Sequence, residues 1–225
     1  KLEAGKSFIM GVRNFDEGMP EEVNRYITDR VSNINFCATK KNFQNLKNEG
    51  FGVAIPYSKL VLSGDVMFDI FLDRFKNIKK KTSLEPYNNF ILCTIHRASN
   101  VDSYKTLYEI VTALNAINKK IPVILLMHPR TRAKLKKYKI KLEVIKKNPL
   151  GYDETLFLLS RCKYVITDSG GLCREAYFAE KKSLFIYEKP VWPEINDVKC
   201  SINCAPYSKN IQTAFNKLKK LKGSF

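Results

Sequence analysis

From residue 90 onward the chain alternates short, mostly apolar runs with amphipathic stretches. FILCTI (90–95), PVILLM (122–127), KYVITD (163–168) and SLFIY (183–187) are rich in β-branched and aromatic residues, which suits parallel strands covered on both faces. Between the first two runs, Leu107, Ile110, Val111, Leu114 and Ile117 recur at helical spacing, with Asp102 placed to cap the start. A helix is predicted to begin at Asp153, with Leu156 and Leu159 packing inward. Another opens at Gly170-Gly171 and runs through Arg174, Glu175, Ala176 and Tyr177. Ile211, Ala214, Phe215, Leu218 and Leu221 share one face of a last helix. Strands alternating with helices predict a doubly wound α/β domain over 76–225.

The first 75 residues read differently. Pro20 followed by Glu21 and Glu22 marks a helix start, with proline in the first turn and acids facing the dipole. That helix is predicted to reach about Asn33, and FCAT (36–39) to form a short strand. Thr39 caps a second helix that Gly50 ends, KLVLSG (59–64) is a further strand, and Gly64-Asp65 turns into another helix. The lysine-rich, proline-bearing stretch 77–89 is the expected linker. Region 1–75 has too few predicted strands for a sheet of its own, and reads as the tail of an incomplete domain.

Composition narrows the function. The 225 residues are 44% hydrophobic and 12% aromatic, enough to bury a core. No apolar run approaches the roughly 18 residues of a membrane span, and the first ten residues lack the apolar segment of a signal peptide. Six scattered cysteines, two histidines and no CxxC motif argue against a disulfide scaffold and against a zinc site. A cytoplasmic location is expected. The net charge of +17 rests on 39 basic residues, only nine of them arginine, with lysine spread evenly along the chain. Nucleic-acid readers concentrate arginine and aromatics on one element, so nucleic acid is not an expected partner. The charge still favours an anionic substrate by steering.

Candidate chemistry gathers where predicted strands end, the position at which open α/β sheets bind ligands. His96-Arg97 follow the first apolar run, and His128-Pro129-Arg130 the second. Thr167-Asp168-Ser169-Gly170-Gly171 lead from a strand into a helix, with Glu175 about one turn on. Paired glycines admit close approach, a helix N-terminus offers free N–H groups to a diphosphate, Ser169 adds a hydroxyl and Glu175 could accept from ribose hydroxyls. The same residues serve equally as a plain strand-to-helix turn. Both histidines fall at strand ends, which favours function. Arg97 and Arg130 suit phosphate or solvent alike. Glu21 and Arg25, one helical turn apart, read as a surface ion pair.

LEAG (2–5), the run 19–51 beginning MPEEVNR, SGDVMFD (63–69), TIHRASN (94–100), MHPRTRAKL (127–135), PLGYDETLFLL (149–159), TDSGGLCREAYF (167–178) and WPE (192–194) occur in that order. This series resembles the UDP-N-acetylglucosamine 2-epimerase family, including relatives acting on diacetamido-sugar nucleotides. The resemblance implies a GT-B-type architecture of two Rossmann-like domains, here the second domain plus the tail of a first one (1–75). It implies C2 epimerisation of a UDP-N-acetylhexosamine through UDP elimination and a glycal, without cofactor or metal, for cell-surface polysaccharide. By the same resemblance, Glu3 and Glu21 are acids beside the sugar, with Arg25 their partner, and His96 lies near the diphosphate. Ser169, Gly170 and Gly171 hold the diphosphate, Glu175 the ribose, and Arg97, His128 and Arg130 complete the UDP site.

The departures from the family pattern are specific. Its N-terminal half has no counterpart, and either Lys6 or Arg13 stands for the arginine that follows LEAG. Ser99 replaces the acid of HR-x-E-N, and Cys173-Arg174 replace Gln-Glu. In IYEKPVWPE (186–194), Tyr187 takes an arginine position and Pro190-Val191 a Thr-Glu pair. A UDP-binding remnant without turnover, or a hydrolysing 2-epimerase, is the alternative, and no turnover is expected of this chain alone.

Overall fold

The computed structural model describes residues 6–8, 10–16, 18–78 and 88–225, and divides the chain into two compact units, Lys1–Leu72 and Asp73–Phe225.

In the first unit β1 (Lys6–Phe8), β2 (Ile34–Cys37) and β3 (Lys59–Leu62) form a parallel sheet in that order. The expectation of no separate sheet is thereby corrected: β1 lacks the apolar run that would have marked it. The second strand also lies earlier than FCAT. Its first half hides a buried Asn35, whose amide nitrogen donates to the Asp29 carbonyl at 3.2 Å and to Ser58 Oγ at 2.6 Å. Helix α1 (Pro20–Val31) begins at Pro20 as expected, and α2 (Lys40–Asn48) is capped by Thr39, which accepts from Asn42 N. Helix α3 (Val66–Asn77) follows β3 and crosses the division between the units. Met10, Cys37, Leu46 and Phe51 are the small core. Beside it Arg13 is buried between Asp29 (2.6 Å) and Glu49 (2.7 Å), with the Tyr26 ring 4.2 Å away. Gly11 cannot be replaced here: its φ is +73°, and a Cβ would meet the Asn42 carbonyl at 2.2 Å.

The second unit holds β4 (Ile91–Thr94), α4 (Ala98–Val101), α5 (Tyr104–Asn118), β5 (Val123–Leu126), α6 (Pro129–Tyr138) and β6 (Ile145–Lys147). It continues with α7 (Tyr152–Arg161), β7 (Tyr164–Thr167), α8 (Gly170–Phe178), β8 (Ser183–Ile186), α9 (Pro193–Asp197), β9 (Ser201–Cys204) and α10 (Ser208–Lys220). All pairings in its sheet are parallel, in the order β6-β5-β4-β7-β8-β9. The chain winds outward from β4 on one side and from β7 on the other, so the order reverses between those two strands. The crevice at such a reversal is where open α/β sheets bind ligands. The core expected from spacing is present: Leu107, Ile110, Leu114, Ile117, Ile211, Phe215 and Leu218 pack with the strands in one cluster. Asp102 does not cap α5. Ser103 does, accepting from Thr106 N, while Asp102 pairs with Arg130 and Lys134. Of the expected linker 77–89, residues 79–87 lie outside the described residues.

Candidate functional site

At the reversal point the ends of β4 and β7 are joined by a 2.7 Å hydrogen bond between the hydroxyls of Thr94 and Thr167. The next residue after Thr167 is Asp168, fully buried. Its carboxylate accepts from His96 N (2.9 Å), Arg97 N (2.8 Å) and Asn100 Nδ2 (3.0 Å), and its own carbonyl accepts from Arg97 Nε (2.6 Å). Arg97 also lies over the Phe185 and Tyr187 rings. Its guanidinium is thus committed to bracing the turn, where the sequence suggested a phosphate contact.

Above this brace lies an open cavity of about 550 Å³, lined by Thr94 and His96 at the end of β4, Leu126, His128 and Pro129 at the end of β5, and Ser169, Gly171, Leu172 and Glu175 at the start of α8. Pro149, Leu150 and Thr155, around the start of α7, complete the wall. Ser169 is the N-cap of α8, its hydroxyl oxygen accepting from Leu172 N at 3.4 Å. Its hydrogen remains available, and the α8 N-terminus carries the positive end of the helix dipole. A Cβ on Gly171 would meet only Ser169 Oγ, at 3.7 Å, so the folded chain itself does not demand glycine there. Glu175, four residues after Gly171, shares its helix face. Burial raises the Glu175 carboxyl above its ordinary range, against a hydrogen bond from Tyr152 and the nearby Arg174 charge. Tyr152, pushed up to about 12 by burial and by Glu175, stays a donor.

His96 and His128 stack with ring centroids 5.2 Å apart. Nδ1 of His128 accepts from Arg130 N at 3.1 Å and so caps α6. The Arg130 side chain leaves the cavity and binds Asp102, whose carboxyl it and Lys134 hold down at about 2. Gly170 is not among the lining residues: its carbonyl accepts from Trp192 Nε1 at 3.0 Å. The structure thus gathers His96, His128, Ser169, Gly171 and Glu175, and places Arg97, Arg130 and Gly170 around them in supporting contacts.

Glu21 and Arg25 belong to the first unit. The predicted ion pair is corrected: Arg25 binds Glu22 at 2.6 Å, and Glu21 is exposed. Glu22 is buried, and also accepts from the Asn14 and Phe15 N–H groups, which holds it where Arg25 can reach. Glu3 lies outside the described residues. Asp168 and Asn100 fall within the candidate clusters without a role assigned to them, and Tyr152 was missed, because what each touches lies far along the chain.

A family model described as UDP-N-acetylglucosamine 2-epimerase matches residues 8–224. The chain belongs to the UDP-N-acetylglucosamine 2-epimerase family. The match starts after Glu3, whose assignment rests on LEAG alone. The UDP-2,3-diacetamido-2,3-dideoxy-D-glucuronate 2-epimerase of Pseudomonas aeruginosa is 43% identical over 194 residues, 86% of this chain and 54% of that protein. The UDP-N-acetylglucosamine 2-epimerase of Methanocaldococcus jannaschii is 31% identical, over 96% of this chain and 63% of its own. A crystal structure of the M. jannaschii enzyme in complex with UDP-GlcNAc and UDP superposes with a TM-score of 0.88 at 28% identity, covering 96% of this chain and 62% of that one. The fold is part of the GT-B type. The chain spans between about half and two thirds of the length of these relatives. No helix among the described residues is long and apolar enough to cross a membrane.

Proposed function

We propose that this chain is the UDP-binding part of a UDP-N-acetylhexosamine 2-epimerase, acting on UDP-N-acetylglucosamine or a diacetamido analogue. One observation carries the reading: a single cavity at the sheet's reversal point brings together the three different chemistries that a nucleoside diphosphate needs. Leu126, Pro129, Pro149 and Leu150 give an apolar wall for a base. Glu175 accepts from ribose hydroxyls, and Ser169 with the N–H groups at the start of α8 receives the diphosphate.

In the reaction, a base takes the C2 proton while the C1–O bond to UDP breaks, leaving a C1=C2 glycal and free UDP. The nucleotide then re-adds at C1 as a proton reaches the opposite face of C2. The second unit's task is to hold UDP through both halves, so that the leaving group is also the returning nucleophile. His96 and His128 face the diphosphate and stabilise the charge that develops on the departing oxygen. Arg97 and Arg130 act behind the cavity, and Gly170 through the α8 turn. Glu21, with Glu3, is the acid side of the proposal, and Arg25 orients Glu22 beside it.

A UDP-binding protein without turnover is the second reading, favoured by the altered segment IYEKPVWPE (186–194), with Tyr187 at an arginine position of the family pattern. Calorimetric titration with UDP and with uridine tests the shared core of both. Saturable heat with UDP, much weaker with uridine, is expected. No heat with UDP, or equal affinity for both, overturns it.

A further inference from the structure

Asp168 does more than close a turn. Among the described residues, the donors to its carboxylate come from residues 96–100, after β4, although Asp168 itself follows β7. The Nδ1 of His96 lies 3.5 Å from Asp168 Oδ1. This is ion-pair range and not a hydrogen bond, but a carboxylate repels a bare lone pair, so the ring nitrogen nearer to it is the one favoured to carry the proton. Neutral histidine in water prefers the other tautomer, with the proton on Nε2.

We propose that Asp168 is a positioning residue of the nucleotide site: it holds His96 as the Nδ1–H form and leaves Nε2 as the ring nitrogen available to the diphosphate. The inference deepens the reading above and rests on it for the ligand. The rest of the geometry serves the same end. Asn100 bridges Asp168 and the Ile186 carbonyl of β8, the Thr131 hydroxyl bonds the Ile95 carbonyl, and the His128 ring stacks on the His96 ring from the cavity side. His96 therefore has its backbone, one ring nitrogen and one ring face all fixed. When Nε2 carries the second proton, it donates to a phosphate oxygen while Nδ1–H stays on the side of Asp168.

With only two histidines in the chain, His128→Ala leaves His96 as the sole imidazole for long-range proton–nitrogen correlation spectra of histidine-labelled protein. In alkaline solution without ligand, His96 should show a protonated Nδ1 and a bare Nε2, and Asp168→Asn should lose that preference. In UDP titrations, Asp168→Asn and His96→Ala should each weaken binding about tenfold, the scale of one lost charged hydrogen bond. The double variant should be no weaker than His96→Ala. A His96 ring protonated on Nε2 overturns the proposal, and so do additive losses. If Asp168→Asn does not fold, the spectrum of the His128→Ala protein still decides. If UDP does not bind the unaltered chain, the ligand half of the proposal falls, while the tautomer alone decides the Asp168–His96 half.

Discussion

Gly171→Val separates binding from folding at the α8 N-terminus. Gly171 is exposed, its φ lies outside the left-handed region, and a Cβ there meets nothing closer than Ser169 Oγ at 3.7 Å. Glycine is the least favourable helix residue after proline, and valine gains a few tenths of a kcal/mol over it. Stability should therefore change by no more than about 0.5 kcal/mol, roughly 1–2 °C in Tm for a chain of this size. The branched side chain, however, projects into the cavity that Gly171 lines and bars a phosphate from the free N–H groups of the first turn. Each charged hydrogen bond lost costs about 1.5–3 kcal/mol, so UDP affinity should fall roughly 10- to 150-fold. Thermal unfolding and titration calorimetry on the same preparation read both numbers. Unchanged UDP heat at unchanged Tm would refute the placement of the diphosphate. A Tm lowered by more than about 5 °C, well beyond the shift allowed above, would refute the description of the helix start.

Other perturbations follow the same logic. Burial holds the Glu175 carboxyl above its ordinary value of 4.5; the protonated form's contribution is complete below that value and lost as pH rises through the folded one. Glu175→Gln should thus raise Tm at pH 7, by an amount that shrinks toward pH 4, while weakening UDP; a lower Tm at pH 7 contradicts the assigned cause. Arg13→Ala leaves Asp29 buried without its 2.6 Å partner and should cost about 3–5 kcal/mol in the first unit. The heat of UDP binding should persist, because every residue lining the cavity lies within Asp73–Phe225.

Legibility in the sequence tracked burial. β4, β5, β7 and β8 are covered on both faces and stood out as apolar runs. β6 is half exposed and β9 carries Ser201 and Asn203, so neither offered such a run, and β1 is three residues long. Helix faces were legible wherever the inner positions are aliphatic, as in α5 and α10. At the cavity, His96, His128 and Ser169 were visible because strand ends are where such folds place ligands. Asp168 was not, because a lone aspartate in Thr-Asp-Ser reads as turn chemistry. Its meaning depends on β4 and β7 being neighbours, and the chain separates them by β5, β6 and four helices.

The departures from the family pattern, scattered in sequence, meet in space. Cys173 and Arg174 are buried in α8, whereas Gly171 and Glu175 line the cavity. Cys173 packs against the hydroxyls of Ser183 and Ser201. Arg174 lies over the Trp192 ring at 4.8 Å, and Trp192 in turn donates to Gly170. Tyr187, at a position where the family pattern has arginine, lies under Arg97, where a second guanidinium would repel the one that braces Asp168. The changes at 174, 187 and 191 are therefore linked through contacts with the α8 turn and with Arg97, and they alter what stands behind the cradle. The donors that would meet a diphosphate are backbone N–H groups and the Ser169 hydroxyl, which depend on helix geometry and not on the replaced side chains. A site built this way is expected to keep an affinity for the proposed nucleotide while the groups around it change, which is why nucleotide binding is the property to measure first.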